Sequence, residues 1–413
     1  KIISKLISVY FLQSRDQEAE ALQLRLAEIY DIAGRFKEAL EPINDILRRK
    51  PESTEALFQL ALINYRSGNQ DKAIEAYLKI IDIHKKQNET DKALAVYNQL
   101  IEIAPFDISF KEQQIELYRS SRRIDEAFDK TLALIEFLES RKENDKLIDK
   151  LRFALSMKPD AENLIIRLAD ILHRLKRFKD ASEEYFRAYE VLRQKEKPEQ
   201  AAAQLQRCLD INPDDRRALF KLGETLMLLG DQRKALQNFK KLAGILLEES
   251  LLEEAETVLN KIIEIQPDDI NTLTQLADVY NRLGFENEVV ATYEKINWIY
   301  LEKEAFNKVI EICHQILKIR PENIPAHENL IYIYDRTNRR AEAIELWFKM
   351  ADIYQRRENL AKEEECYDAI LKKDNANVEA RRRRIFLLLK LSQKLAAFKE
   401  ARILSDQYTM RRQ

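Results

Sequence analysis

Glycine is nearly absent: the chain has six in 413 residues. Sheets and tight hairpins consume turn residues faster than that, so the scarcity argues for helices. Cysteine is scarce too. Cys208, Cys313 and Cys366 are odd in number and widely spaced, which fits neither a disulfide framework nor a zinc site. Free thiols of this kind favour a reducing compartment, and the cytoplasm is the expected location. No apolar run approaches the ~18–20 residues of a membrane span; the opening KIISKLISVYFL is broken by Lys5. A leader pattern is lacking as well.

Net charge is also missing. Sixty-nine basic residues face 71 acidic ones, for a formal charge of −2. Neither nucleic acid nor an anionic membrane is therefore an expected partner. Phosphate-binding glycine loops, HExxH and CxxC do not occur, and acidic clusters such as Lys362–Cys366 read as solvated helix faces. No enzyme activity, metal or cofactor is expected. Of the four histidines, His84 and His173 fall where other rows carry Tyr or Leu and read as structural filler. Cys313 and His314 are adjacent, so on a helix they point to different sides.

What the chain does have is a ruler. Pro51, Pro105, Pro159, Pro213, Pro267 and Pro321 lie 54 residues apart, with Asn375 in the next slot. Internal repetition at such a period is the signature of an array. Rows then follow without gaps: 1–51 (partial), 52–105, 106–159, 160–213, 214–267, 268–321, 322–375 and 376–413 (partial). One column reads Ala19, Ala73, Ala127, Ala181, Ala235, Val289, Ala343, Ala397. Another reads Leu6, Leu60, Gln114, Leu168, Leu222, Leu276, Leu330, Arg384. Apolar places recur at three- and four-residue steps, which marks helical faces.

Each row reads as three helices. For the row from Glu52 they are Thr54–Arg66, Asp71–Lys86 and Thr90–Ile103. Gly68, Gly230, Gly284 and Asn338 share a break column, where the left-handed conformation ends a helix. Each proline forces the residue before it out of helical geometry, so Asn212 should be extended and Asp214 and Asp215 should meet the positive end of the next helix. Pro198 and Pro325 suit helix starts. Pro42 falls inside a helix and should kink it.

These residues resemble the tetratricopeptide repeat. The stretch from Leu276 carries the pattern through Leu276, Ala277, Tyr280, Gly284, Val289, Tyr293 and Ile296. The stretch from Leu26 does so through Leu26, Ala27, Tyr30, Gly34, Ala39, Ile43, Ile46 and Pro51. The family's unit is two helices in about 34 residues. Here two such frames, offset by 20, overlap in the middle helix of each 54-residue row. That helix must pack on both neighbours, and Ala73, Ile74, Tyr77, Leu78, Ile80, Ile81 and Ile83 give it two apolar faces. The resemblance implies an all-α solenoid of about 23 antiparallel helices in a single array.

It also implies a non-enzymatic scaffold that presents a helical surface to protein or peptide partners. The alternatives are an arm of a larger protein, with any catalytic part outside this chain, or a structural subunit of a large bacterial-type assembly that self-associates through its ends. A start at Lys1 without Met, and a first row with no polar cap, lead us to expect protein before Lys1. One polar column singles out a ligand site: Arg25, Lys79, Ala133, Arg187, Lys241, Lys295, Lys349. Cations one repeat apart suit an acidic peptide or a carboxylate terminus; a solvated helix face is the competing reading. The run Arg381–Arg384 reads first as a terminal cap of solvated arginines, then as a patch for an acidic partner, and least as a nucleic-acid site. Most tyrosines, with Trp298 and Trp347, are expected to pack.

Overall fold

The protein is described by a computed structural model covering Ile2–Arg411. Those residues form 23 α-helices and no strand. The chain divides into two compact units, one ending at Val191 and one starting at Leu192. The first unit holds α1 (Ile2–Leu12), α2 (Asp16–Ile32), α3 (Phe36–Arg49), α4 (Thr54–Arg66), α5 (Gln70–Lys86), α6 (Thr90–Ile103), α7 (Ile108–Ser120), α8 (Ile124–Ser140), α9 (Asn144–Met157), α10 (Glu162–Arg174) and most of α11 (Phe178–Gln194). The second holds α12 (Pro198–Ile211), α13 (Arg216–Leu228), α14 (Gln232–Glu248), α15 (Leu252–Ile265), α16 (Ile270–Leu283), α17 (Glu286–Glu302), α18 (Phe306–Ile319), α19 (Ile324–Arg336), α20 (Arg340–Arg356), α21 (Leu360–Lys373), α22 (Val378–Lys390) and α23 (Lys394–Arg411). Consecutive helices pack on one another through α1–α10 and through α12–α23. This is the helical-repeat fold that the proline ruler predicts.

Three kinds of turn separate the helices, each on the 54-residue period. After the first helix of a row comes a left-handed residue: Ser14, Gly68, Arg122, Lys176, Gly230, Gly284, Asn338 or Ser392, with φ from 57° to 83°. Twenty residues later a second left-handed column follows, Gly34, Asn88, Lys142, Glu196, Ser250, Glu304 and Glu358, with φ from 50° to 70°. Both close with the same bonds. Asn69 N–H reaches the Asn64 carbonyl at 2.8 Å, and Glu89 N–H reaches that of His84 at 2.9 Å, which satisfies orphan carbonyls at the helix end. The third turn is the proline turn. There Asn212 stands at φ −131°, ψ 96°, the extended geometry that a following proline imposes.

Pro198 and Pro325 open helices, as their chemistry predicts. Beyond the proline, Asp215 rather than Asp214 is the cap, accepting from Ala218 N–H at 3.1 Å. Pro42 lies inside a helix, as expected: α3 spans the same 14 residues as the other third helices, with Pro42 buried in its core face. The ring forgoes one backbone bond and gains an apolar environment instead.

The middle helices carry the core. In α5, Ala73, Ala76, Tyr77, Ile80, Ile81, Ile83 and His84 are buried, on faces towards both α4 and α6. Ile74 and Leu78 are half-buried. A helix covered on two sides needs this wider stripe, which explains why one segment serves two overlapping motifs.

Candidate functional site

The exposed face of each middle helix is where the predicted cations fall. Arg25, Lys79, Lys241, Lys295 and Lys349 are exposed, and Arg187 is half-buried. The residue after each is apolar and turned inward, as with Ile80, Leu242, Ile296 and Met350. A buried place next to an exposed one follows from the 100° step along a helix. Ala133 is the uncharged member and is exposed too.

Three of the six cations have intramolecular partners. Lys241 Nζ donates to the Pro213 carbonyl at 2.6 Å and lies 3.0 Å from Asp214. One row earlier Arg187 donates to the Pro159 carbonyl at 3.1 Å and sits 3.5 Å from Glu184. Lys349 pairs with Glu345 at 2.7 Å. Arg25, Lys79 and Lys295 have no side-chain partner among the described residues. The column is thus a set of surface cations, two of which also tie down a proline turn.

Sequence reasoning missed a second column, three residues further along the same helices. It reads Glu28, Asp82, Glu136, Glu190, Gly244, Trp298, Asp352, Asp406. Residues three apart on a helix are surface neighbours, so most cations have an acid beside them. In two rows this column meets the first helix of the following row. Gln59 of α4 donates to Glu28 at 3.2 Å, and Arg383 of α22 donates to Asp352 at 2.8 Å. The facing places read Gln59, Gln113, Arg167, Lys221, Gln275, Asn329 and Arg383, every one a hydrogen-bond donor. The same 54-residue ruler, laid over the acids, would have shown it.

Trp298 corrects the expectation that it packs: it is 55% exposed, because it occupies the acidic column and not an apolar one. Trp347 is partly buried against the core. The arginine run also differs from a solvated cap. Arg381 is only 2% exposed. It donates to the Asn375 carbonyl and Oδ1, both at 2.7 Å, and ion-pairs with Glu400 of α23. Arg384 joins the same Glu400 at 3.0 Å and Asp368 at 2.8 Å. Their partners come from other helices, so the last helix pair is held by charge where other rows use leucine.

Most other chemistry-bearing side chains are buried. All three cysteines are buried thiols outside any disulfide. Burial pushes the Cys313 and Cys366 thiols up to about 12, far from a reactive thiolate. His84 is buried with Nδ1 2.8 Å from Glu89, and His314 is exposed while Cys313 is buried. His173 is not core filler: it is exposed, with its ring 5.5 Å from that of Phe178. No group of three His, Cys, Asp or Glu placed to hold a metal occurs among the described residues. No described helix is long and apolar enough to cross a membrane.

A tetratricopeptide repeat model matches residues 24–88 and 190–244, and a second one matches 75–106. No curated protein matches the chain. Among solved structures it is similar to the P58(IPK) TPR domain, at 16% identity over 91% of this chain and 99% of that one, with a TM-score of 0.18. It is similar to Naa15/Naa10 bound to HypK-THB, at 13% identity over 92% and 67%, with a TM-score of 0.20. Another is MamA from Desulfovibrio magneticus RS-1, at 12% identity over 55% and 96%, with a TM-score of 0.17. The repeat-model matches fall on segments where the alanine, aromatic and left-handed columns recur, and they identify those segments as tetratricopeptide repeats.

Proposed function

We propose that the chain is a non-enzymatic interaction scaffold whose middle-helix cations engage acidic protein or peptide segments. The observation that carries this reading is the surface placement of all six cations, with Arg25, Lys79 and Lys295 unpartnered among the described residues. A basic residue repeated once per row matches acids spaced along an extended ligand, and arginine and lysine donate charge-assisted bonds to carboxylates. The buried thiols, none in a disulfide, support a reducing compartment, the cytoplasm in our reading. The test is capture of partners from the native source by the full chain. Reversing Lys79, Lys241, Lys295 and Lys349 together to Glu should abolish capture, and wild-type capture should weaken with salt. Unchanged capture by the reversed chain would sink the proposal.

A second reading is self-association through the end helices, as in a structural subunit. It is favoured by exposed apolar side chains there: Ile2 and Leu12 on α1, Phe386 on α22, Leu395 and Phe398 on α23. Light scattering over a hundredfold concentration range should then show mass growth that Phe398→Glu stops. A constant monomer mass rejects this reading.

A further inference from the structure

The row 106–159 departs from the repeat at three places that line one cavity. Helices α6, α7 and α8 enclose about 490 Å³, floored by Ile101, Ile115 and Leu134. On its wall, Lys111 stands where other rows carry Leu57, Ile165, Leu219 and Leu273. Gln114 stands where they carry Leu60, Leu168, Leu222, Leu276 and Leu330. Ala133 is the uncharged member of the cation column. In the next two rows that place reaches the proline turn, through Arg187 to the Pro159 carbonyl and Lys241 to that of Pro213. Alanine ends at Cβ and leaves that path open.

Polar groups in buried columns need partners. His327 and Arg381, the other polar members of the Lys111 column, find them in Asn323, Asn375 and Glu400. Lys111 has no side-chain hydrogen bond or ion pair among the described residues; its ammonium rests 3.6 Å from the centre of the Phe137 ring. Burial holds its pKa below the usual lysine value, and the Arg141 charge acts in the same direction. Lys130 and Glu102 line the same cavity and are likewise unpaired among the described residues. Gln114 is 2% exposed and donates to Asn98 Oδ1 at 2.8 Å, which fixes both amides on the wall.

We infer that this cavity binds a small zwitterionic amino acid with an apolar side chain. The ligand carboxylate takes Lys111 and Lys130, with the Asn98 amide as a further donor. Its ammonium takes Glu102, and its side chain lies on Ile101, Ile115 and Leu134 beside Ala133. Opposite charges that line one cavity without pairing with each other suit a ligand that carries both, since each contact is then charge-assisted. A plain anion would face Glu102 unanswered, and a plain amine would meet two cations. An apolar floor with a few convergent polar groups, in a volume of this order, is the usual make-up of a small-molecule site. The site is separate from the six exposed cations of the proposed scaffold surface, whose column carries no charge at Ala133.

The experiment is titration calorimetry of the full chain with three probes: L-phenylalanine, 3-phenylpropanoate, which lacks the amine, and 2-phenylethylamine, which lacks the carboxylate. Phenylalanine should bind about tenfold or more tightly than either analogue, the worth of one charge-assisted contact. Lys111→Leu, which installs the residue of Leu57, Leu219 and Leu273, should weaken phenylalanine about tenfold and leave 2-phenylethylamine within about twofold. Glu102→Gln should bring phenylalanine down to the level of 3-phenylpropanoate. Ala133→Met, which fills the open path without adding charge, should weaken phenylalanine and both analogues together. Lys295→Glu in the second unit should leave all three unchanged. Glu102 and Ala133 are exposed, so their variants test the cavity whatever Lys111→Leu does to folding. No saturable binding of phenylalanine overturns the inference, as does equal affinity for the three probes. Wild-type phenylalanine binding by Glu102→Gln or Ala133→Met overturns it as well.

Discussion

The ammonium of Lys241 sits 2.6 Å from the carbonyl oxygen of Pro213, a residue 28 places earlier in the chain. A side chain that the repeat pattern offers to a ligand thus also closes its own proline turn, with Asp214 beside it. Lys241→Met removes the cap without adding charge. It should lower unfolding free energy by about 0.5–1 kcal/mol, the usual size for an exposed charge-assisted bond. Lys241→Gln, which keeps a donor, should lose less. Urea unfolding measures both, and no change in either would mean that water serves the Pro213 carbonyl equally well.

Glu400 is the hinge pin of the last helix pair. It pairs with Arg381 and Arg384 together, and Arg381 is the buried partner. Removing one member of a buried pair strands the other, at about 3–5 kcal/mol. Glu400→Ala should therefore release α23, seen as hydrogen exchange of its amides rising by two to three decades while α13–α18 stay protected. Replacing Arg381 and Glu400 together by leucine should be neutral or stabilising, because an apolar pair of similar volume avoids the desolvation cost.

How far the sequence foretold this differs sharply between fold and site. The spans Thr54–Arg66 and Thr90–Ile103 were readable to the residue, and α5 starts one earlier than expected, at Gln70. Periodicity is a local property and survives in one row of text. The second left-handed column was hidden because Lys142, Glu196, Ser250, Glu304 and Glu358 are not glycine; packing of the two flanking helices imposes the strained residue between them. Arg381 and Arg384 read as solvated because their partner Glu400 lies on another helix. The cation column was legible from spacing, and the same ruler holds its acidic neighbour; what spacing could not give is which partners these side chains take, such as Gln59 for Glu28 and Arg383 for Asp352.

His327 gives the second unit a pH dependence. It is buried, its Nδ1–H donates to the Asn323 carbonyl at 2.9 Å, and burial holds its pKa below the ordinary imidazole value, the nearby Lys349 charge acting in the same direction. The unfolded chain therefore binds the proton more readily. Stability from this residue is intact above about pH 6.5 and falls as pH drops from there towards the lowered folded value. His327→Leu supplies the residue type of Leu57, Leu219 and Leu273 in the same column. It should flatten unfolding free energy between pH 7 and 5 relative to wild type, and parallel curves would refute the assignment.

Gly223 is the one tight glycine. An added Cβ would come within 2.5 Å of the buried Phe239 ring. Gly223→Ala should cost about 1–3 kcal/mol through overpacking, despite alanine's better helix propensity. Combining it with Phe239→Leu should recover part of the loss. Calorimetry on the three variants decides the matter: a Gly223→Ala chain that melts above wild type would mean that the ring yields freely.

The recurrence of three unlike turns on a single 54-residue period makes the length of this molecule quantised. Excising 268–321 deletes α16–α18 and brings α19 onto α15, a third helix meeting a first helix, as α16 does on α15 and α19 on α18. Any excision of one or two helices would instead seat a helix against a neighbour of the wrong kind, shifting cations, acids and apolar stripes out of phase in every module beyond the cut. Removing one whole row therefore takes away a complete helix triplet and the cation it carries.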